Sequence, residues 1–302
     1  KPAIVWRDLR RYYGLRNFIS TNLSLSDHHL TTDDCDRALE FLQNRYDIIV
    51  AGSDEIWHVE RKAFTMPFPN PYWLSETLHC HKIAYAASAN KLAYHDLQPN
   101  DRDLMQRCLQ AFDLIGVRDR HTFTMIREWG VVPPDKMELV PDPTFFMQVP
   151  RNDSKTRQRL LRAGVDFSRK LLGVTFSDPM LNEGIIPHFK RNGYQVIAMT
   201  GYNPLADVNL RGCLNPFEWA QTFQFFALCC ADLFHGTVFS LKAGIPFLSF
   251  DYYCNPTYET KLHFLLDDLG LLKHYVAVQR LVMRPDELII RAEELIRDHD
   301  KG

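Results

Sequence analysis

Residues 229–250 read CCADLFHGTVFSLKAGIPFLSF. An apolar run through ADLF gives way at His235 to a Gly-Thr pair, a helical GTVFSLKAG segment and a second apolar run, IPFLSFD. Strand, helix and strand in so few residues form a crossover unit, and crossover units build parallel sheets. His235 interrupts this pattern. It ends the strand ADLF, with Gly236 and Thr237 opening the next helix, where backbone N–H groups and a positive partial charge favour anions. Gly236 would let a ligand approach the backbone, and Thr237 would add a hydroxyl. A histidine there is either a packed ring or a proton-transfer group presented to a ligand.

The same alternation extends outward. Ahead of this unit lie the strand KLLGVTFSD, the helix GIIPHFKRNG, the strand YQVIAMTGYN and the helix PFEWAQTFQFFALC. Behind it come the helix TYETKLHFLLDDLG and the amphipathic RPDELIIRAEELIRD, with its apolar stripe Leu288, Ile289, Ala292, Leu295 and Ile296. The first half repeats the pattern: helix RALEFLQNRY, strand YDIIVAGSD, strand KIAYAASAN, helix DRDLMQRCLQAF, strand DLIGVRD, and helix HTFTMIREWG closed by Gly130. A polar, charged and proline-punctuated segment, QVPRNDSKTRQ at 148–158, reads as a linker. The expected fold is therefore α/β, with two Rossmann-like domains facing a cleft. Residues 1–148 form the first. Residues 149–302 form the second, with the terminal helix returning to the first domain. The opening KPAIVWRDLRRYYGL is not an obvious domain start, so the first domain is expected to lack its first strand.

Composition narrows the function. Lys and Arg number 35 against 37 Asp and Glu, so no cationic excess points to nucleic acid. The seven cysteines include no CxxC pair and read as reduced thiols of a cytoplasmic protein. The longest apolar stretch, FFALCCADLF, is about half of the ~20 residues a membrane span needs. His28-His29 and His79-x-His81 lack partners in a metal-ligating pattern. The phosphate-cradling GxxxxGK[ST], a GxGxxG after a strand, and GxSxG are all absent.

In open α/β sheets ligands collect at the carboxyl ends of strands, and the unusual polar residues of this chain gather there. Ser53, Asp54 and Glu55 follow one strand, with Trp57 as a flat surface of the kind sugars stack on. Ser88 and Asn90 close the next, Arg118 and Asp119 a third, and Asp142 a fourth. Each has an ordinary reading as well: a helix cap, an Arg118–Asp119 ion pair, an Asp-Pro turn.

The ordered phrases YDIIVAGSDEIW, KIAYAASA, DLIGVRDRHT, LVPDPTFF and ADLFHGTVFSLKAGIPF resemble the polysaccharide pyruvyl transferase family, from about Tyr46 to Phe250. The resemblance implies a GT-B-like fold and transfer of a pyruvyl group from phosphoenolpyruvate to sugar hydroxyls, giving a pyruvate ketal. It maps the family's histidine onto His235, its arginine onto Arg118 and the aspartate of its DPT phrase onto Asp142. On this scheme His235, Arg118 and Asp54 are catalytic, His235 as acid and Asp54 as base. Gly236, Thr237, Ser88 and Asp142 bind the donor, while Trp57 and Ser53 bind the acceptor. No metal or cofactor is required. The implied partners are phosphoenolpyruvate and a sugar or lipid-linked oligosaccharide, with peripheral association at membrane-bound glycan assembly. One departure stands out: Leu233 occupies a position where many members carry Arg or Ser. The alternatives are a nucleotide-sugar glycosyltransferase and a non-catalytic glycan-binding relative.

Overall fold

The computed structural model describes residues 2–26, 28, 30, 34–59, 68–150, 154–176, 178–253, 259–278 and 285–301. Its helices are α1 (Pro2–Asn22), α2 (Cys35–Leu42), α3 (Pro99–Gln110), α4 (Arg120–Trp129), α5 (Ser154–Arg162), α6 (Pro179–Arg191), α7 (Pro216–Thr222), α8 (Phe234–Ala243), α9 (Lys261–Asp268) and α10 (Pro285–His299). The first four strands are β1 (Ile48–Asp54), β2 (His81–Ala87), β3 (Leu114–Val117) and β4 (Met137–Leu139). The other six are β5 (Leu171–Val174), β6 (Gln195–Ala198), β7 (Val208–Asn209), β8 (Leu228–Ala231), β9 (Phe247–Asp251) and β10 (Tyr275–Ala277).

Two compact units result, one spanning 26–145 with 254–270, the other 1–25, 146–253 and 271–302. The first holds a parallel sheet in the order β1-β2-β3-β4. The second holds a parallel sheet in the order β10-β9-β8-β5-β6-β7. In the six-stranded sheet the chain winds from β5 through β6 to β7, then returns beside β5 and winds outward through β8, β9 and β10. This is the doubly wound order, and its topological switch point lies between β5 and β8.

Local chemistry sets the element ends. Asp119 caps α4 by accepting from the Thr122 N–H at 2.7 Å, and Gly130 ends that helix at φ 64°. Asn215 and Glu218 form a capping box on α7. Strands β5, β6, β8 and β9 are buried at every position, as expected of a parallel sheet covered on both faces. One core gathers Trp57, Trp73, Met105, Phe112 and Ile126; the other gathers Phe176, Ile185, Phe189, Leu248 and Phe250.

Four expectations change. The segment read as a linker contains the start of α5 at Ser154, and Thr156 and Leu160 of that helix are buried. The helix expected to run through Cys229 ends in a tight turn at Phe223–Phe225, and the following strand is Leu228–Ala231 rather than ADLFH. Continuous apolar character from Phe225 to Ala231 hid that boundary. The terminal helix spends its stripe in the six-stranded unit, where Leu288, Ala292 and Leu295 join the core and α10 packs on α6. The crossing segment is instead 254–270: α9 packs on α4 in the four-stranded unit, with Arg120 lying 4.7 Å from the Phe264 ring and bonded to Glu259 at 2.8 Å. Helix α1 belongs with the six-stranded unit, where Phe18 meets Phe217 edge-on at 5.2 Å.

Candidate functional site

Carboxyl ends of strands carry the polar residues in both units. In the six-stranded unit, β5 ends at Val174 and β8 at Ala231, so Thr175 and Asp232 emerge side by side at the switch point. The Thr175 hydroxyl donates to Asp232 Oδ1 at 2.6 Å and accepts from the Asp232 N–H at 2.9 Å. Leu233 then occupies the cap of α8, exposed at 42% and making no side-chain cap bond.

His235 therefore sits in the first turn of α8 rather than at the end of a strand. It is half-buried, its ring edge-on to Phe234 at 5.6 Å. Its two neighbours turn inward. A Cβ on Gly236 would lie 2.9 Å from that of Ala231, so glycine there lets the helix seat on its own strand. Thr237 is fully buried and shares a 2.6 Å hydrogen bond with Ser249 of β9. The Thr237 hydroxyl, expected to face a donor, is instead engaged by Ser249, and the missing Cβ of Gly236 serves helix–strand packing. His235 keeps partial exposure.

Sequence reasoning missed Asp232 and Thr175. Burial pushes the Asp232 carboxyl above the ordinary carboxylate range, against the Thr175 hydrogen bond and with the like charge of Asp178 adding to it. Burial likewise raises the Tyr252 phenol, reinforced by Asp178 and Asp232. The available signal was an aspartate directly after a fully apolar strand, LCCAD.

In the four-stranded unit, Asp54, Arg118 and Asp142 come together. Arg118 donates from Nη1 to Asp142 Oδ2 at 2.5 Å and from Nη2 to Asp54 Oδ1 at 2.7 Å. The Arg118 and Asp142 side chains are each 1% exposed, whereas that of Asp54 is 65% exposed. Asp142 Oδ1 accepts from the Thr144 N–H at 3.0 Å and hydroxyl at 2.6 Å. Burial alone would raise the Asp142 carboxyl, but Thr144 and Arg118 outweigh it and hold it below its usual range. Asp54 is depressed in the same way, with Arg118 overcoming the burial effect. It is thus ionised at neutral pH and a weak proton acceptor. Both terminal nitrogens of Arg118 are engaged by carboxylates, and Asp119 is its helix cap neighbour rather than its partner.

Trp57 corrects another expectation. It is 0% exposed, stacked on Trp73 at 5.3 Å and edge-on to Phe112 at 5.8 Å, so it offers no face to a sugar. Ser88 is also fully buried: its hydroxyl accepts from the Asn90 N–H at 2.9 Å and its carbonyl from the Trp57 N–H at 3.1 Å. Ser53 is half-exposed. Glu55 binds Lys261 and accepts from Asn90 Nδ2 at 2.8 Å. His81 bonds Asp113 at 3.2 Å, beside a cavity of about 630 Å³ at the amino ends of β1 and β2, away from these residues. Among the described residues, no helix is long and apolar enough to cross a membrane.

Comparison with known proteins shows what this arrangement is similar to. A Listeria monocytogenes protein described as a UDP-N-acetylglucosamine 2-epimerase shares the fold at TM-score 0.59 and 12% identity, over 92% of this chain and 76% of that one. The UDP-GlcNAc 2-epimerase of Methanocaldococcus jannaschii matches at TM-score 0.59 and 10% identity, covering 92% and 80%. S. aureus MnaA, in a co-structure with UDP, matches at TM-score 0.51 and 10% identity, covering 91% and 72%. These likenesses concern the fold, which is of the GT-B kind. No curated protein sequence matches the chain. The polysaccharide pyruvyl transferase family model matches residues 3–255, taking in all four strands of the first sheet and both strand ends at the switch point of the second, and the chain belongs to that family.

Proposed function

We propose that the protein transfers a pyruvyl group from phosphoenolpyruvate to paired hydroxyls of a sugar, forming a pyruvate ketal. The observation that carries this reading is the placement of His235 in the first turn of α8, at the switch point of the doubly wound sheet and beside a cap that Leu233 leaves without a side-chain bond. Phosphoenolpyruvate bears a phosphate and a carboxylate, and a helix start at a switch point suits such a dianionic group. His235 handles proton transfer there. In the four-stranded unit, Asp54 presents an ionised carboxylate suited to accepting hydrogen bonds from sugar hydroxyls, and Arg118 with Asp142 positions it. The acceptor is a sugar of a polysaccharide or of its lipid-linked precursor, and a phosphoenolpyruvate donor implies a cytoplasmic reaction.

Incubating the full chain with phosphoenolpyruvate and a panel of 4-nitrophenyl hexopyranosides tests the reading. Orthophosphate release with a ketal product detected by mass spectrometry supports it. The UDP held by the related MnaA fold motivates a parallel arm with UDP-sugars. Release of UDP, with no phosphate from phosphoenolpyruvate, would make the protein a nucleotide-sugar enzyme instead.

A further inference from the structure

Two carboxylates of this protein, Asp54 and Asp142, are held by Arg118. Asp232 is different. Its partner is the neutral Thr175 hydroxyl, and the charge acting on it is the like charge of Asp178. It leaves the sheet at the switch point, three residues before His235. One carboxyl oxygen, Oδ1, is fixed by Thr175, and the Asp232 N–H is fixed by the same hydroxyl. No hydrogen bond to Oδ2 is present among the described residues. We propose that Asp232, oriented by Thr175, is the acid that delivers a proton to the methylene carbon of phosphoenolpyruvate, while His235 accepts the proton of the attacking sugar hydroxyl. The inference rests on the pyruvyl-transfer reading above and moves the acid role from His235 to Asp232.

The chemistry explains why a carboxylic acid suits this place. An ionised carboxylate would repel a donor that carries phosphate and carboxylate, whereas a protonated one donates to it. Partial burial, with no cationic partner among the described residues, favours the protonated form, in agreement with the raised carboxyl. In the step itself, the O–H bond of Asp232 breaks and the C2=C3 π pair forms the new C3–H bond. C2 becomes oxocarbenium-like, the first hydroxyl oxygen bonds to it, and that hydroxyl's proton goes to His235. The C2–O bond to phosphate then breaks, its electron pair leaving with phosphate, which takes the proton from His235. The second hydroxyl closes the ring at C2 and its proton restores Asp232. Two hydroxyl protons are lost, one ends on the new methyl group through the acid and one on phosphate, so the reaction balances with no redox partner.

Among the described residues, the titratable groups coupled to Asp232 are Asp178 at the start of α6, Tyr252 after β9 and Cys229 on β8, and His235 follows three residues on in α8. The test is the pH profile of phosphate release from phosphoenolpyruvate with 4-nitrophenyl hexopyranosides, for the wild type, Asp232→Asn, Asp232→Glu and Thr175→Val. Asp232→Asn keeps the oxygen that Thr175 binds, and is expected to lower kcat ~10²–10⁴-fold with KM little changed. Asp232→Glu is expected to restore part of that loss. In the wild type, the rate falls on the alkaline side as the acid loses its proton. Thr175→Val removes a hydrogen bond that favours the carboxylate, so the alkaline limb is expected to move to higher pH. In D2O, deuterium from solvent should enter the new methyl group slowly in Asp232→Asn and at the wild-type rate in the wild type's own turnover. A wild type that turns over while Asp232→Asn keeps its rate and profile, or while Thr175→Val leaves the limb unmoved, overturns the inference alone. A wild type that releases no phosphate from phosphoenolpyruvate overturns the pyruvyl reading and the inference with it.

Discussion

Asp142→Ala and Asp54→Ala each remove one carboxylate from the same arginine, yet their costs should differ several-fold. Asp142 and Arg118 are each 1% exposed in their side chains and meet at 2.5 Å. Deleting the aspartate leaves a buried guanidinium with half its compensation and also strips Thr144 of its acceptor. Losing one partner of a buried pair costs about 3–5 kcal/mol. Asp54 bonds the same guanidinium at 2.7 Å, but its side chain is 65% exposed, so water replaces much of what is lost. Its removal should cost about 0–1 kcal/mol. At roughly 3–5 °C per kcal/mol for a unit of this size, Asp142→Ala should lower the midpoint of the four-stranded unit by about 10–20 °C and Asp54→Ala by at most about 5 °C. Thermal unfolding, with hydrogen exchange of β1–β4 peptides to assign the loss to this unit, gives the comparison. The pH dependence follows from the sign of the shift. Asp142 has a depressed folded-state pKa, so its contribution is fully present above the unfolded value of about 4 and is lost as pH falls through the folded value. Asp142→Asn should therefore flatten the acid limb of stability. Equal losses for Asp142→Ala and Asp54→Ala, or an unchanged acid limb in Asp142→Asn, would refute the reasoning.

His235→Ala should reduce phosphate release ~10²–10⁴-fold while changing stability by less than about 1 kcal/mol; full activity with a stability loss of ~1–3 kcal/mol would mark a structural histidine instead. Gly52→Ala should destabilise by at least about 2 kcal/mol in a urea titration, because its Cβ would lie 2.0 Å from the Tyr85 carbonyl oxygen at a φ of +148°. Leu233→Ser should add the missing cap to α8 and raise stability by roughly 0.5–1 kcal/mol, with turnover preserved or improved in the phosphate assay. Thr237→Val should cost about 1–3 kcal/mol by differential scanning calorimetry, since it leaves the buried Ser249 hydroxyl without its 2.6 Å partner.

Strand–helix alternation made the two parallel sheets legible, because strands buried along their whole length read as mostly apolar runs: LLGV carries no polar side chain, and FLSFD is interrupted only by Ser249 and Asp251. The boundary near Phe226 was not legible, since helix end, turn and strand share one apolar run and periodicity cannot divide it. Membership of a segment in one unit or the other was also hidden. The apolar face of α9 reads the same whichever core it joins; contacts made in the folded chain, Arg120 with Phe264 and Glu259 and Lys261 with Glu55, reveal its choice.

At the candidate site, Asp54, Ser88 and Arg118 lie at or just after strand ends, but the strand-end rule could not say which way each side chain turns. Trp57 and Thr237 sit where a ligand surface was expected, and both point into cores, because a large ring or a methyl-bearing hydroxyl stabilises most when buried and partnered. Arg118 and Asp142 were legible as a pair of positions and illegible as a pair of charges, since they lie 24 residues apart and join only once β3 and β4 align. The same limit hid Asp232. Its meaning depends on Thr175, 57 residues earlier, arriving beside it when β5 pairs with β8. A strand-end carboxylate matched to an arginine stays charged, whereas one matched to a threonine and faced by another aspartate is pushed toward the acid form. The partner brought in by the sheet order, more than the aspartate itself, sets what the carboxyl can do.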